Sequence, residues 1–298
     1  MQEFTFETKG LGTTISVSLI GTEAALATTT FQHIKQRLLE AEERFSRFLP
    51  HSELSQLNKL GRGRLSAEFR AVLVKAIELS RQTQGAYNPL VQVARLGYSG
   101  TFDKLSGQQV VVEGSYNTTL TDIEGPDETG DIRLADGQQL DFGGFLKGYL
   151  AKELLSELLV IAPWCEGAII NIGGDIATFG TDEVHDPFIF TIYNPVLGTE
   201  LPVRLVDTCL ATSGTYGRTW STLRGTKHHL IDPTTLENIT NPYVSVSVIH
   251  EDGALAEAYT KMFFVNGVDR VTEMLGADLP QYLVIDEKGN TQSNLLNL

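Results

Sequence analysis

The chain has 298 residues, 42% of them hydrophobic and 20% charged, enough to bury a sizeable core in one large domain or in two interlocked lobes. Its formal net charge of −14 argues against general binding to nucleic acid or to an anionic membrane, which needs clustered Lys and Arg. An anionic small molecule remains compatible, because backbone N–H groups and one or two lysines hold a phosphate locally. Cys165 and Cys209 show neither zinc nor C-x-x-C spacing and read as buried thiols. No apolar run approaches the roughly 18 residues of a membrane span, and the opening MQEFTFETKG lacks the basic and apolar regions of a signal peptide, so a cytoplasmic protein is expected.

In chain order, residues 12–20 alternate and are rich in β-branched types, which predicts a strand. A long amphipathic helix follows over Glu23 to Phe45, with Leu26, Phe31, Ile34, Leu38 and Phe45 at helical spacing, and Pro50 stops any continuation. A second helix is expected over Ala67 to Gln82, capped by Ser66 and with Gly85 beyond its end. Between 86 and 135 the chain is polar and rich in turns. QVVVEG suggests a short strand there, and the acidic DIEGPDETGD a solvated loop. LDFGG then leads into a helix from about Phe145 to Leu159. GAIINIGGDIATFG reads as a buried strand, FIFTIYN as another, and VRLVDTCLATSG as a third that ends in a turn. SVSVI at 245–249 is a further strand. A helix from Ala254 to Val265 and a short one over Val268 to Leu275 come next, and YLVIDEKGNTQSN closes the chain as a hairpin. Strands and helices mix without regular βαβ alternation. The expected class is therefore α+β, mixed sheets flanked by helices, as a single domain over 1–298 in which lobes 1–135 and 136–298 are conceivable.

Four clusters carry chemistry. Asp141-Phe142-Gly143-Gly144-Phe145-Leu146-Lys147 places paired glycines and a lysine at a helix entrance, where free N–H groups meet an anion; it reads equally as a tight turn with a surface lysine. Asn171-Ile172-Gly173-Gly174-Asp175 is a glycine turn in which Asp175 binds a ligand or caps the turn. Ala211-Thr212-Ser213-Gly214 offers hydroxyls, either to a polar ligand or to the protein itself. Lys227-His228-His229-Leu230-Ile231-Asp232 is an acid–base candidate. Strand alternation would put His228 and His229 on opposite sides, so His229 with Asp232 is the better functional pair.

Taken together and in order, these stretches resemble the FAD:protein FMN transferase (ApbE) family, from Gly12-Thr13 through FSRFLPHSELSQLN, TQGAYNP, LDFGGFLKGYLAKEL, INIGGDI, ATSGTYGR, HHLIDPTT and SVSVI to EAYTKMFFVNG. The resemblance implies a T-fold-like architecture. It also implies binding of FAD and transfer of its FMN moiety to a Thr hydroxyl on an acceptor flavoprotein, releasing AMP. By the same resemblance Phe48 packs near the flavin or adenine rings, and Gly143, Gly144 and Lys147 form the phosphate-side loop. Gly173, Gly174 and Asp175 line the cofactor site, Thr212, Ser213 and Gly214 add polar contacts, and His229 with Asp232 are the catalytic pair, His229 moving the proton.

The family's C-terminal helix begins D-A-x-x-T, its Asp and Thr one helical turn apart and holding magnesium. Here Glu257 stands for that Asp and Lys261 for that Thr. Glu257 is thus the one remaining candidate metal ligand, and a protonated lysine ligates no hard cation. The alternative reading is a non-catalytic FAD-binding protein in which Lys261 beside a phosphate replaces the ion. Smaller departures are Leu11 for a Met, Asn88 for an Asp and Leu236 for a Gly.

Overall fold

The computed structural model describes residues 1–98, 100, 107–112 and 114–295. Strands β1 (Gln2–Gly10) and β2 (Thr13–Gly21) form a hairpin whose two turn residues, Leu11 and Gly12, both have positive φ (53° and 68°), as a type I′ connection requires. Helix α1 (Ala24–Phe45) follows. Ala27, Thr30, Ile34 and Leu38 form its buried stripe, whereas Leu26 is 47% exposed. The expected core role of Leu26 is therefore corrected: the stripe runs one residue further on, through Ala27. Helix α2 (Glu53–Leu60), which periodicity missed, is set by its ends: Ser52 caps the N-terminus by accepting from Ser55 N, and Gly61 closes the C-terminus at φ 66°. The short strand β3 (Arg62–Arg64) comes next. Helix α3 (Ala67–Gln82) starts at the Ser66 cap, as expected. Strand β4 (Asp131–Arg133) pairs with β3.

Among the described residues of QVVVEG the expected strand does not form. Glu113 lies outside the described residues, and the rest has only the isolated bridge from Gln109 to Thr222. Helix α4 (Leu146–Ile161) is followed by β5 (Gly167–Ile172) and β6 (Asp175–Gly180), so the single strand expected over 167–180 is a hairpin. Its apolar run continues across the turn, which hid the break. Strands β7 (Phe188–Asn194) and β8 (Thr199–Leu205) form a separate hairpin. The run VRLVDTCLATSG is likewise divided, between β8 and β9 (Cys209–Gly214), because Asp207 takes a positive φ of 52°. Strands β10 (Thr219–Thr222) and β11 (Gly225–His228) form a further small hairpin. Then come β12 (Tyr243–His250), α5 (Gly253–Leu275), and the closing hairpin of β13 (Gln281–Asp286) and β14 (Thr291–Ser293). The two expected C-terminal helices are the two arms of α5, divided at Gly267, whose φ of 76° and ψ of 163° are not helical.

The chain forms two compact units, each assembled from separated stretches of sequence. The first holds residues 1–39, 145–214 and 241–298. Its eight-stranded sheet has the order β1-β2-β5-β6-β9-β12-β13-β14, with antiparallel pairing throughout. Alternation gives this sheet two apolar faces. Ile176, Leu210, Leu283 and Ile285 pack against Ile192, Val203 and Leu205 of the β7–β8 hairpin. Helices α4 and α5 lie against β5, β6, β9 and β12 and against each other. The second unit holds residues 40–144 and 215–240. Phe45, Phe69 and Phe142 meet in its core, with ring centroids 5.6 and 5.4 Å apart for the Phe45–Phe69 and Phe69–Phe142 pairs. A second cluster gathers Leu96, Tyr98, Trp220 and Ile231, with Phe48 packed against it.

Candidate functional site

In the first unit, four charged side chains converge from three elements. Lys147 lies in the first turn of α4, Asp175 opens β6, and Glu257 and Lys261 sit one turn apart on α5. Lys147 Nζ donates to Asp175 Oδ2 and, at 3.1 Å, to Glu257 Oε1. Lys261 Nζ reaches the same Glu257 oxygen at 3.4 Å. The other Glu257 oxygen accepts from Gly148 N–H at 3.0 Å. Both carboxylates are almost completely enclosed.

This arrangement depends on a close helix crossing. A Cβ on Gly148 would stand 2.2 Å from Gly253 O, and one on Gly253 would stand 2.4 Å from Gly148 O. Only hydrogen at both positions lets α4 and α5 approach until Glu257 meets the Gly148 amide.

The electrostatics divide the two carboxylates. Burial disfavours the Glu257 anion, but Lys147, Lys261 and the Gly148 amide outweigh it and hold its pKa at about 2. Burial, and then the nearby Glu257 charge, push Asp175 up to about 6. Burial also lowers the pKa of Lys261, against the pull of Glu257. Asp175 Oδ1 has no hydrogen-bond partner among the described residues, although it is buried.

Around this cluster the expected contact residues are already engaged. Gly173 and Gly174 form the two-residue turn of the β5–β6 hairpin at φ 65° and 99°, and a Cβ on Gly173 would stand 2.3 Å from Thr13 Oγ1. The turn therefore accounts for both glycines without a ligand. Thr212 Oγ1 pairs with Ser247 Oγ at 2.8 Å, and Ser213 Oγ with Thr260 Oγ1 at 2.6 Å. Thr260 donates its own proton to Glu257 O, so Ser213 is the donor to Thr260. Gly214 ends β9.

In the second unit, Gly143 and Gly144 form the turn that follows Phe142, where Gly143 N–H donates to Asp141 Oδ1 at 2.8 Å. Phe48 is half-buried, edge-on to Tyr98 with centroids 6.0 Å apart, and the Arg47 guanidinium lies 4.3 Å from the Phe48 centroid. Strand β11 ends at His228, so the alternation expected to carry on through His229 and Ile231 stops there. His229 and Asp232 instead occupy an irregular segment. Asp232 Oδ1 accepts from Thr234 N and Thr235 N at 2.7 and 3.3 Å, and Asp232 N–H donates to Glu237 O. Asn238 fastens this segment: its Nδ2 donates to His228 O at 2.5 Å and to Leu230 O at 3.1 Å, and its Oδ1 accepts from His228 N.

Sequence reasoning missed Asn238 and Gly253, and gave no role to Gly148 and Thr260, although both stand inside the motifs it singles out. A glycine inside the helical run LKGYL is the one local signal that pointed to any of them.

A family model described as the ApbE family matches residues 11–284. The chain belongs to the ApbE family. A FAD:protein FMN transferase of Vibrio cholerae is 27% identical over 274 residues, covering 87% of this chain and 80% of that relative. One from Haemophilus influenzae is 25% identical over 296 residues, covering 93% and 85%. Among solved structures, the flavin transferase ApbE of Vibrio cholerae superposes with a TM-score of 0.80 at 22% identity, covering 98% of this chain and 97% of that one. The apbe protein of Thermotoga maritima does so with a TM-score of 0.85 at 21% identity and the same coverage. At these identities the superpositions establish the α+β ApbE fold.

The magnesium ion implied by the family resemblance does not fit the residues of this member. Glu257 has one oxygen on a backbone amide and the other between two ammonium groups. A divalent cation placed there would displace Lys261 and still face Lys147. No helix among the described residues is long and apolar enough to cross a membrane.

Proposed function

We propose that this chain binds FAD and transfers its FMN moiety to a Thr hydroxyl of an acceptor flavoprotein, releasing AMP. The observation that carries this reading is the Lys147–Asp175–Glu257–Lys261 cluster. It gathers two lysines that would supply the positive charge a pyrophosphate needs, in a family member whose curated relatives are named for the reaction. The acceptor Oγ attacks the phosphorus on the FMN side, a new P–O bond forms, the bond to the AMP phosphate breaks, and AMP leaves. Transfer of this kind is mainly a matter of neutralising phosphate charge and orienting the nucleophile.

In this reading Lys147 and Lys261 supply the charge, beside the first turn of α4, whose Gly148 N–H is held by Glu257. His229 takes the hydroxyl proton, and Asp232 fixes the turn that carries it. Phe48 offers an aromatic face to the rings. In the first unit Gly173, Gly174, Thr212, Ser213 and Gly214 are the cofactor contacts of this reading, and in the second Gly143 and Gly144 are its phosphate-side turn. The cytoplasmic location expected from the sequence is retained within this reading.

The test is direct. The protein is incubated with FAD and a Thr-containing acceptor domain, and the acceptor is weighed by mass spectrometry. The expected result is one added FMN unit, abolished by replacing the acceptor Thr with Val. An acceptor of unchanged mass, from a preparation that has taken up yellow flavin, would sink the transferase reading.

A further inference from the structure

The charge pattern around Glu257 supports a statement beyond the transfer reaction. Four formal charges meet there, two ammonium groups and two carboxylates, and their hydrogen bonds are unequally used. Both Glu257 oxygens are occupied, and Lys147 bridges Glu257 and Asp175. Among the described residues Lys261 makes one hydrogen bond, at 3.4 Å, although its side chain is only 14% exposed. An ammonium has three donors, so a buried lysine with one long contact is built for something that arrives later. The second oxygen of Asp175, the partner of Lys147, is a buried acceptor with no partner among the described residues. A ligand offering anionic oxygens to Lys261 and a hydroxyl to Asp175 would satisfy both, and a phosphate ester of a polyol has that chemistry.

We propose that Lys261, held in place by Glu257, supplies the positive charge that a divalent cation would otherwise bring, so that this chain holds the pyrophosphate of FAD without a metal ion. The proposal rests on the reading that the chain binds FAD and names how it does so. The ammonium is anchored by its i,i+4 carboxylate on α5, and Lys147 shares the same carboxylate oxygen. A metal ion arriving with the nucleotide would meet two ammonium groups, with both Glu257 oxygens already hydrogen-bonded and Asp175 held by Lys147.

The experiment measures FAD affinity by quenching of flavin fluorescence, in EDTA and in millimolar magnesium. For the unaltered protein the two affinities are expected to agree within about twofold, well short of the tenfold steps by which a lost charged contact is read. Lys261→Thr should weaken FAD binding in EDTA by about tenfold or more, the loss of a charge-assisted hydrogen bond. Lys261→Arg keeps the charge, serves as the folding control, and should stay close to the original affinity. The double variant Glu257→Asp with Lys261→Thr should become magnesium-dependent. An affinity of the unaltered protein that rises about tenfold with magnesium overturns the proposal, as does a Lys261→Thr variant that binds normally in EDTA. Absence of flavin binding in either buffer would overturn the FAD reading itself, an outcome distinct from both.

Discussion

Asn238 and Glu257 each organise a stretch of motif residues, by opposite means. Asn238 is a neutral side chain on an irregular segment. It ties down His228 and Leu230 through backbone hydrogen bonds within ten residues of itself. Glu257 is a buried anion on a regular helix, and it ties together Lys147, Gly148 and Lys261, the first two more than a hundred residues away. Local backbone clamps hold a loop without the rest of the fold, and each bond is individually modest. A buried charge network is all or nothing, because each ion's desolvation is offset only while its partners remain. The charged region should therefore respond to substitution far more strongly than the clamped one.

The largest effect tests that asymmetry. Glu257→Ala leaves Lys147 and Lys261 without their shared anion and should cost about 3–5 kcal/mol, read from urea unfolding. A loss below about 1 kcal/mol would mean that water already screens the cluster.

The acid–base behaviour of the same cluster sharpens the contrast. Asp175 has a folded pKa of about 6, raised by burial and by Glu257, against its ordinary 3.8. A raised acid contributes stability that is fully present below the ordinary value and is lost as pH rises through about 6. Glu257, lowered to about 2 from 4.5, contributes stability present above 4.5 and lost as pH falls through about 2. The unaltered protein should therefore gain stability relative to Asp175→Asn as pH drops from 7 to 5. Parallel curves for the two proteins over that range would show that Asp175 titrates normally.

Gly148→Ala attacks the geometry rather than the charge. The added methyl lands on the Gly253 carbonyl, so α4 and α5 must part and the Gly148–Glu257 hydrogen bond must lengthen. The expected cost is about 1–3 kcal/mol, with FAD affinity falling alongside. Unchanged thermal unfolding would show that the helices already have slack.

On the clamped side, Asn238→Ala should cost about 1–2 kcal/mol and lower transfer by about tenfold or more, through misplacement of His229. FAD affinity should change little, so the loss appears in kcat. Full transfer activity in this variant would remove His229 placement from the role given to Asn238.

The same contrast explains what the sequence could reveal. Long elements with a clear period, such as α1, α3, β12 and the closing hairpin, were legible because side-chain spacing reports them directly. β5–β6 and β8–β9 each look like one strand in the sequence, because the apolar pattern runs on while the break lies in backbone dihedrals at Gly173, Gly174 and Asp207. α2 is short and depends on its caps, so periodicity passed over it. At the site, the family resemblance points to Glu257 and Lys261, and helical spacing puts them one turn apart. Lys147 and Asp175 are site candidates in the sequence too, but their contacts with Glu257 and with each other arise only through tertiary packing. The hydroxyls of Thr212 and Ser213 looked available to a ligand, yet Ser247 and Thr260 engage them from other elements.

The smallest expected effect lies at Leu236, inside the clamped loop and at the place where the family motif has glycine. Leu236 has φ 59°, a conformation that a branched side chain enters at a cost of about 1–2 kcal/mol. Its N–H still donates to Asp232 O at 2.8 Å, so the turn is held closed despite that cost. Leu236→Gly removes the steric penalty but frees the unfolded chain by about 0.5–1 kcal/mol, so the net gain should be under about 1 kcal/mol. Because Asn238 and Asp232 already fix the segment, transfer activity should be unchanged. A clear loss of activity in Leu236→Gly would mean that the leucine side chain itself orders the His229 segment, and that local backbone bonds alone do not.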